Sequence, residues 1–415
     1  MTAKQPLGLV EMLSLPTVSS PVLSPDGATV CYQVSESNWD KSSKRRSGHL
    51  FAVPTSGVAA PVQLTRGKGE GGALWSPDSN TVAFTASRDG DSGSQIYLLP
   101  AHGGEARRLT EGLHQVGNLS EWSADGWIYF TCIADPTPGV LDTMGLIHGF
   151  NSNGDKSPYV FEEDMPQRVV CRVHAVQGTV EHLTPTDCTA TSWSVSTDGS
   201  KLVWHSATST LLDDAGIPPH EIWLQDSDGS NARKLSFPLP QPASGAKLSP
   251  DGKQLLFTMR ATPEQEYSYT STLFLASVDS SEPAVPLPPL EGGSNTITDF
   301  AWGAAGNKIL VHANIGVRHA IYCFDLAAQS WTALTDTTAD VSFGGWSYAA
   351  ASDTHVLSVV SQHNGGDICL LGDAGALTQL TTVFDEYTAR YALPEVRAIT
   401  WKGEDDTEIE GLLCV

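Results

Sequence analysis

The chain alternates short apolar runs with clusters of Gly, Pro, Asp, Asn and Ser, and the runs have the length of strands rather than of helices. One set comprises Thr29 to Gln33, Thr81 to Thr85, Trp127 to Thr131, Leu202 to His205, Gln254 to Thr258, Lys308 to His312 and His355 to Val359. A second set follows at a regular interval: Leu50 to Val53, Ile96 to Leu99, Val173 to Val176, Ile222 to Leu224, Leu273 to Leu275, Ile321 to Phe324 and Ile368 to Leu371. The pattern predicts many short strands joined by hairpins, in an all-β protein.

The turns repeat in their letters. Each run of the first set follows a signature: Ser24-Pro25-Asp26-Gly27, Ser76-Pro77-Asp78-Ser79, Ser123-Ala124-Asp125-Gly126, Ser196-Thr197-Asp198-Gly199 or Ser249-Pro250-Asp251-Gly252. Two weaker copies start at Trp302-Gly303 and Trp346-Ser347. Pro presets φ for a turn, Asp bonds its own backbone and Gly accepts positive φ, so two strands can reverse tightly. Most units close on a Leu-Thr pair, at Leu64-Thr65, Leu109-Thr110, Leu183-Thr184, Leu334-Thr335 and Leu380-Thr381, with Leu235-Ser236 as a variant and no clean copy in the fifth unit. Three markers in constant order define seven units, and their length fits four-stranded blades. The fold expected is a seven-bladed β-propeller over residues 1–395, followed by a C-terminal segment, 396–415.

Turn starts at 24, 76, 123, 196 and 249 are 52, 47, 73 and 53 residues apart. The long third interval implies an excursion of roughly 20 to 25 residues within about 135–165. Insertions in repeat proteins map to one face, where binding takes place.

Composition narrows the function. With 24 Lys and Arg against 47 Asp and Glu, the net charge is -23, which repels a nucleic-acid backbone; the one basic run, Lys41 to Arg46, reads as a solvated loop. No stretch is apolar enough to span a membrane and the first residues do not resemble a signal peptide, so the expected location is cytoplasmic. The seven cysteines form no Cys-x-x-Cys pair and read as buried free thiols. Asp89 to Gly93 and Asp226 to Gly229 read as hairpin turns rather than calcium loops, and the histidines show no zinc-site spacing. No cofactor and no metal is expected. The tryptophans Trp75, Trp122, Trp193, Trp302 and Trp346 sit at blade turns, where large rings pack between blades.

The Ser-Pro-Asp-Gly turns and Leu-Thr closures resemble the N-terminal propeller of the prolyl oligopeptidase family, in particular its dipeptidyl-peptidase and acylaminoacyl-peptidase branch; TolB-type propellers share the turns. The tail from Ala398 to Leu413 looks like the strand that opens the α/β-hydrolase domain in these peptidases. The resemblance implies a catalytic Ser, Asp and His beyond that junction, in a domain outside this chain, and a propeller that admits short peptides to it. On that reading this chain carries no catalytic residue. Its partners are short peptide substrates, reached through the hydrolase domain, and a protein partner is the expectation of the alternative, a stand-alone TolB-like interaction platform.

Two motifs bear on this. Gly344-Gly345-Trp346-Ser347-Tyr348-Ala349 looks like the family's nucleophile elbow, but Ala349 replaces a glycine and Trp346-Ser347 falls in register with Trp75-Ser76 and Trp122-Ser123, so a blade strand is expected. In the long interval, Tyr159-Val160-Phe161-Glu162-Glu163-Asp164 looks like the paired glutamates with which dipeptidyl peptidases hold a substrate's α-ammonium. Glu162 and Glu163 are the candidate substrate-binding residues, with Arg168 beside them; a solvated acidic loop is the plain alternative. Arg168 and Arg172 could pair with these carboxylates or with a substrate carbonyl.

Overall fold

The computed structural model describes residues 4–415 except 38–47, 68, 92, 135–166, 208–220, 236–242, 261–269, 291–294, 339–340 and 362–363. The strands form seven consecutive four-stranded antiparallel units, blades 1 to 7, spanning residues 17–63, 71–108, 114–182, 189–234, 244–286, 295–333 and 342–379. Blades 5 and 6 are further joined by one parallel bridge, Ser271 to Thr296. First strands of neighbouring blades touch from blade 7 through blades 1 to 5, and Trp302 of blade 6 reaches the first strand of blade 5, so these strands form the inner wall.

Seven buried apolar clusters fill the seven seams. Cys31 and Leu50 of blade 1 pack with Val82 and Phe84 of blade 2, and each later pair of blades shares such a cluster. The last joins Val18, Leu23 and Val53 of blade 1 to Val356, Ile368 and Leu380 of blade 7. The ring therefore closes by side-chain packing, with every blade built from four successive strands and none exchanged across the closing seam.

The sequence signatures are now explained. In the first turn, Ser24 Oγ donates to Asp26 Oδ1 at 2.6 Å and accepts the Thr29 amide at 2.9 Å, while Gly27 takes φ of 72°. The same Ser, Asp and amide set recurs at Ser76, Ser196 and Ser249. At each of these turns the serine hydroxyl holds the aspartate (Asp26, Asp78, Asp198, Asp251) below the usual carboxylate range. The Leu-Thr pair locks the fourth strand to the third. The leucine amide donates to a third-strand carbonyl, and the threonine hydroxyl accepts the amide of that same residue. The amides of Leu50, Ile96, Val170, Ile321 and Ile368 meet Thr65, Thr110, Thr184, Thr335 and Thr381 at 2.9 to 3.0 Å. In the fifth unit Leu287 makes the leucine half, donating to Leu273 at 2.8 Å; Pro288 stands in the threonine position, which hid this copy in the sequence.

Every first strand carries a register shift against its second strand. Such bulges bend and twist a strand, which suits the narrow inner wall of a propeller. Because strands alternate in direction, the Ser-Asp turns lie at one end of all blades. The connections between second and third strands leave from the other end, and the long ones, containing 38–47, 135–166, 208–220 and 261–269, all belong there. The chain enters and leaves the ring at that same end, here called the excursion face.

Candidate functional site

Both chain termini meet at the excursion face. Gln5–Pro6 pairs in parallel with Tyr391–Ala392, which follows blade 7 through a short helix, Asp385–Arg390. The helix Leu9–Leu13 buries none of its residues, and Leu9, Val10, Met12 and Leu13 are exposed. After the ring, Val396–Lys402 and Glu408–Cys414 form a two-stranded hairpin that joins no blade.

Alternation decides which face of this hairpin is used. Thr400, Glu408 and Glu410 look toward blade 6, where Arg318 Nη1 donates to Glu410 Oε1 at 2.5 Å and the Val317 amide donates to Glu410 Oε2 at 3.2 Å. By alternation Ile399 and Trp401 stand on the opposite side, 36% and 47% exposed, while Ile409, 38% exposed, also borders the cleft toward blade 6. Gly411 lies opposite Ile399, and a Cβ there would come within 2.9 Å of the Trp401 ring, so only glycine lets that ring lie across the hairpin. Between hairpin and blade 6 is a cleft of 1220 Å³, lined by Arg318, Tyr322, Trp331, Thr400 and Glu410 among others.

Of the sequence candidates, Glu162 and Glu163 lie outside the described residues. Arg168 opens the third strand of blade 3 (Arg168–His174), half-buried at the excursion face and just after the long connection. Arg172 is committed elsewhere. Its Nε donates to Glu181 Oε2 at 2.8 Å, its Nη1 to the Ser227 carbonyl of blade 4 at 2.9 Å, and its guanidinium lies 4.1 Å from the Trp127 ring centre. It clamps a seam.

Ser347 lies within a blade 7 strand, Ser342–Ala349, and its Oγ accepts the Leu23 amide of blade 1 at 3.0 Å. This is a seam contact on an extended strand, not a nucleophile on a strand-to-helix turn. Trp75 and Trp302 likewise reach back one blade, donating from Nε1 to the Val22 and Lys247 carbonyls at 3.0 and 3.1 Å. Trp346 differs, donating to His355 Nδ1 within its own blade at 3.2 Å.

Glu121, on the first strand of blade 3, carries chemistry that the sequence did not mark. Burial pushes its carboxyl up to about 7. The signal is invisible in one dimension, because it comes from the enclosure of the inner wall rather than from neighbours in the chain.

The architecture is that of a seven-bladed propeller, and known proteins with this fold include the propeller regions of peptidases. No family model matches the chain. An acylaminoacyl peptidase solved with Z-Gly-Gly-Phe-chloromethyl ketone superposes on 97% of this chain with a TM-score of 0.69 at 14% identity. This chain covers 58% of that protein's length. The β-propeller domain of the trilobed protease from Pyrococcus furiosus, described as having an open velcro topology, matches 89% of this chain and 99% of its own, with a TM-score of 0.60 at 12% identity. In sequence, the uncharacterized peptidase YuxL of Bacillus subtilis is 34% identical over 117 residues, 28% of this chain and 17% of that protein. The fold expected from the repeats is the fold observed, and its neighbours are the peptidase propellers that the turns resemble. No helix among the described residues is long and apolar enough to cross a membrane.

Proposed function

We propose that this chain is the non-catalytic, substrate-gating propeller portion of a serine-type oligopeptidase, dipeptidyl- or acylaminoacyl-peptidase-like, that acts on short peptides in the cytoplasm. The observation that carries this reading is the hairpin after blade 7. It joins no blade, and Ile399 and Trp401 stand partly exposed on its side away from blade 6. The ring gains nothing from that apolar surface; a hydrolase domain packed on the excursion face would bury it. In this arrangement peptides reach the catalytic domain past the excursions. Glu162 and Glu163 would hold a free α-ammonium there, and Arg168 a peptide carbonyl.

The test is to incubate the purified chain with chromogenic dipeptide and acyl-amino-acid substrates, alongside a fluorophosphonate probe. Neither turnover nor labelling is expected, while free-amine peptides bind and E162Q and E163Q weaken that binding. Labelling at Ser347 would overturn the reading. Capture of a protein partner without peptide binding would favour the stand-alone interaction platform instead.

A further inference from the structure

Blade 3 brings three soft ligands to one face of its sheet. Cys132, one residue before the end of the second strand (Trp127–Ile133), lies opposite Val169, and Cys171 lies two residues further along the third strand, so the two thiols are diagonal neighbours on the same face. His182, on the fourth strand (Val180–His182), pairs directly across from Cys171. The two sulfurs are 3.0 Å apart, and the two sulfurs and a ring nitrogen of His182 all lie within 4.8 Å of one another. Both thiols are fully buried among Phe130, Val169 and Val173, whereas His182 is exposed.

We propose that Cys132, Cys171 and His182 form a binding site for a thiophilic d10 cation, zinc in the first instance, with water in the fourth position on the exposed side of His182. Sulfur is the ligand that selects such ions, and imidazole suits them equally. Zinc–sulfur bonds of about 2.3 Å at tetrahedral angles set the sulfurs about 3.7 Å apart, so the thiols need separate by only about 0.7 Å. The imidazole is the telling member, because a disulfide between the two cysteines would have no use for it.

Both thiols must lose their protons on loading, and two protons pass to solvent per zinc. The ion would tie together three strands of blade 3 where the connection containing 135–166 leaves and returns, fixing the root of that excursion. Linear spacing could not reveal the site, since its ligands are 39 and 11 residues apart in the chain.

The reduced chain, stripped of metal by a chelator, is titrated with Co²⁺ and then Zn²⁺. One ion per chain is expected by native mass spectrometry, with near-ultraviolet thiolate-to-cobalt absorption that zinc bleaches, and with a raised unfolding midpoint. C171S should abolish the absorption. H182A changes an exposed position that the fold tolerates, and it should weaken binding at least about tenfold with an unchanged circular dichroism spectrum. The proposal is overturned if no ion is retained, if H182A or C171S binds as the unaltered chain does, or if Cys132 and Cys171 are found joined as a disulfide under reducing conditions.

Discussion

Arg318 grips Glu410 across 92 residues of sequence, and this pair fastens the terminal hairpin to blade 6. Both side chains are about a quarter exposed, so the contact is worth about 1 kcal/mol or less to the whole fold. Its effect is local. R318A and E410Q should leave the unfolding midpoint nearly unchanged but speed tryptic cleavage after Lys402 in the hairpin. An unchanged cleavage rate would mean that the Val317 contact alone holds it.

The uncovered hairpin face makes a second prediction. Trp401→Ser combined with Ile409→Ser removes apolar surface that no seam cluster contains, so ring stability should change by less than about 0.5 kcal/mol. Self-association measured by light scattering should fall. Loss of ring stability instead would show that the hairpin packs into the fold after all.

The Leu-Thr lock is expected to be costly to break. Thr110 is buried, accepts the Ile96 amide at 2.9 Å and donates to Gln95 at 3.0 Å. Thr110→Val strands a buried N–H and a buried amide oxygen, for a loss of about 1 to 3 kcal/mol in chemical denaturation. Thr110→Ser keeps the hydroxyl and should recover most of it.

Ser347→Ala offers the converse test of the Gly-Trp-Ser-Tyr string. It removes the acceptor of the Leu23 amide at the closing seam and should cost about 1 kcal/mol of stability. Fluorophosphonate reactivity, measured in parallel, should be nil in both proteins.

Acid should weaken the fold through two histidines. Burial lowers His312 and His355 to about 4; His319 beside His312 adds to the lowering, while Asp299 and Asp353 oppose it. Between about pH 6.5 and 4 the unfolded histidines take up protons that the folded ones refuse, so stability falls as pH falls through this window. Glu121 acts the other way. Raised to about 7, it keeps in the fold a proton that the unfolded chain releases above about pH 4.5, so its contribution is lost as pH rises. E121Q should therefore steepen the loss of stability between about pH 7 and 5, read from denaturant midpoints. An identical slope would place the Glu121 carboxyl in solvent.

What could be read from the sequence was what the chain encodes locally. The Ser24 to Thr29 turn closes within six residues and its hydrogen bonds need only those residues, so five copies stood out by letter. Thr65 and Thr381 lie within one blade of the amides they accept, and their spacing also survived as a pattern. Leu287 did not, because Pro288 stands where the hydroxyl would be and only the backbone preserves the lock. The commitment of Arg172 to Ser227, the grip of Arg318 on Glu410 and the enclosure of Glu121 depend on strands brought together by the ring. No spacing along the chain announces them.

Because each blade is complete in four consecutive strands, the circle has no privileged starting point. Joining the two ends and cutting instead between any other pair of blades would leave every sheet whole, so a circularly permuted ring should still assemble. The seam of Val18, Leu23, Val356 and Ile368 would then become an ordinary internal junction, and the break in the chain would move to the seam that was cut.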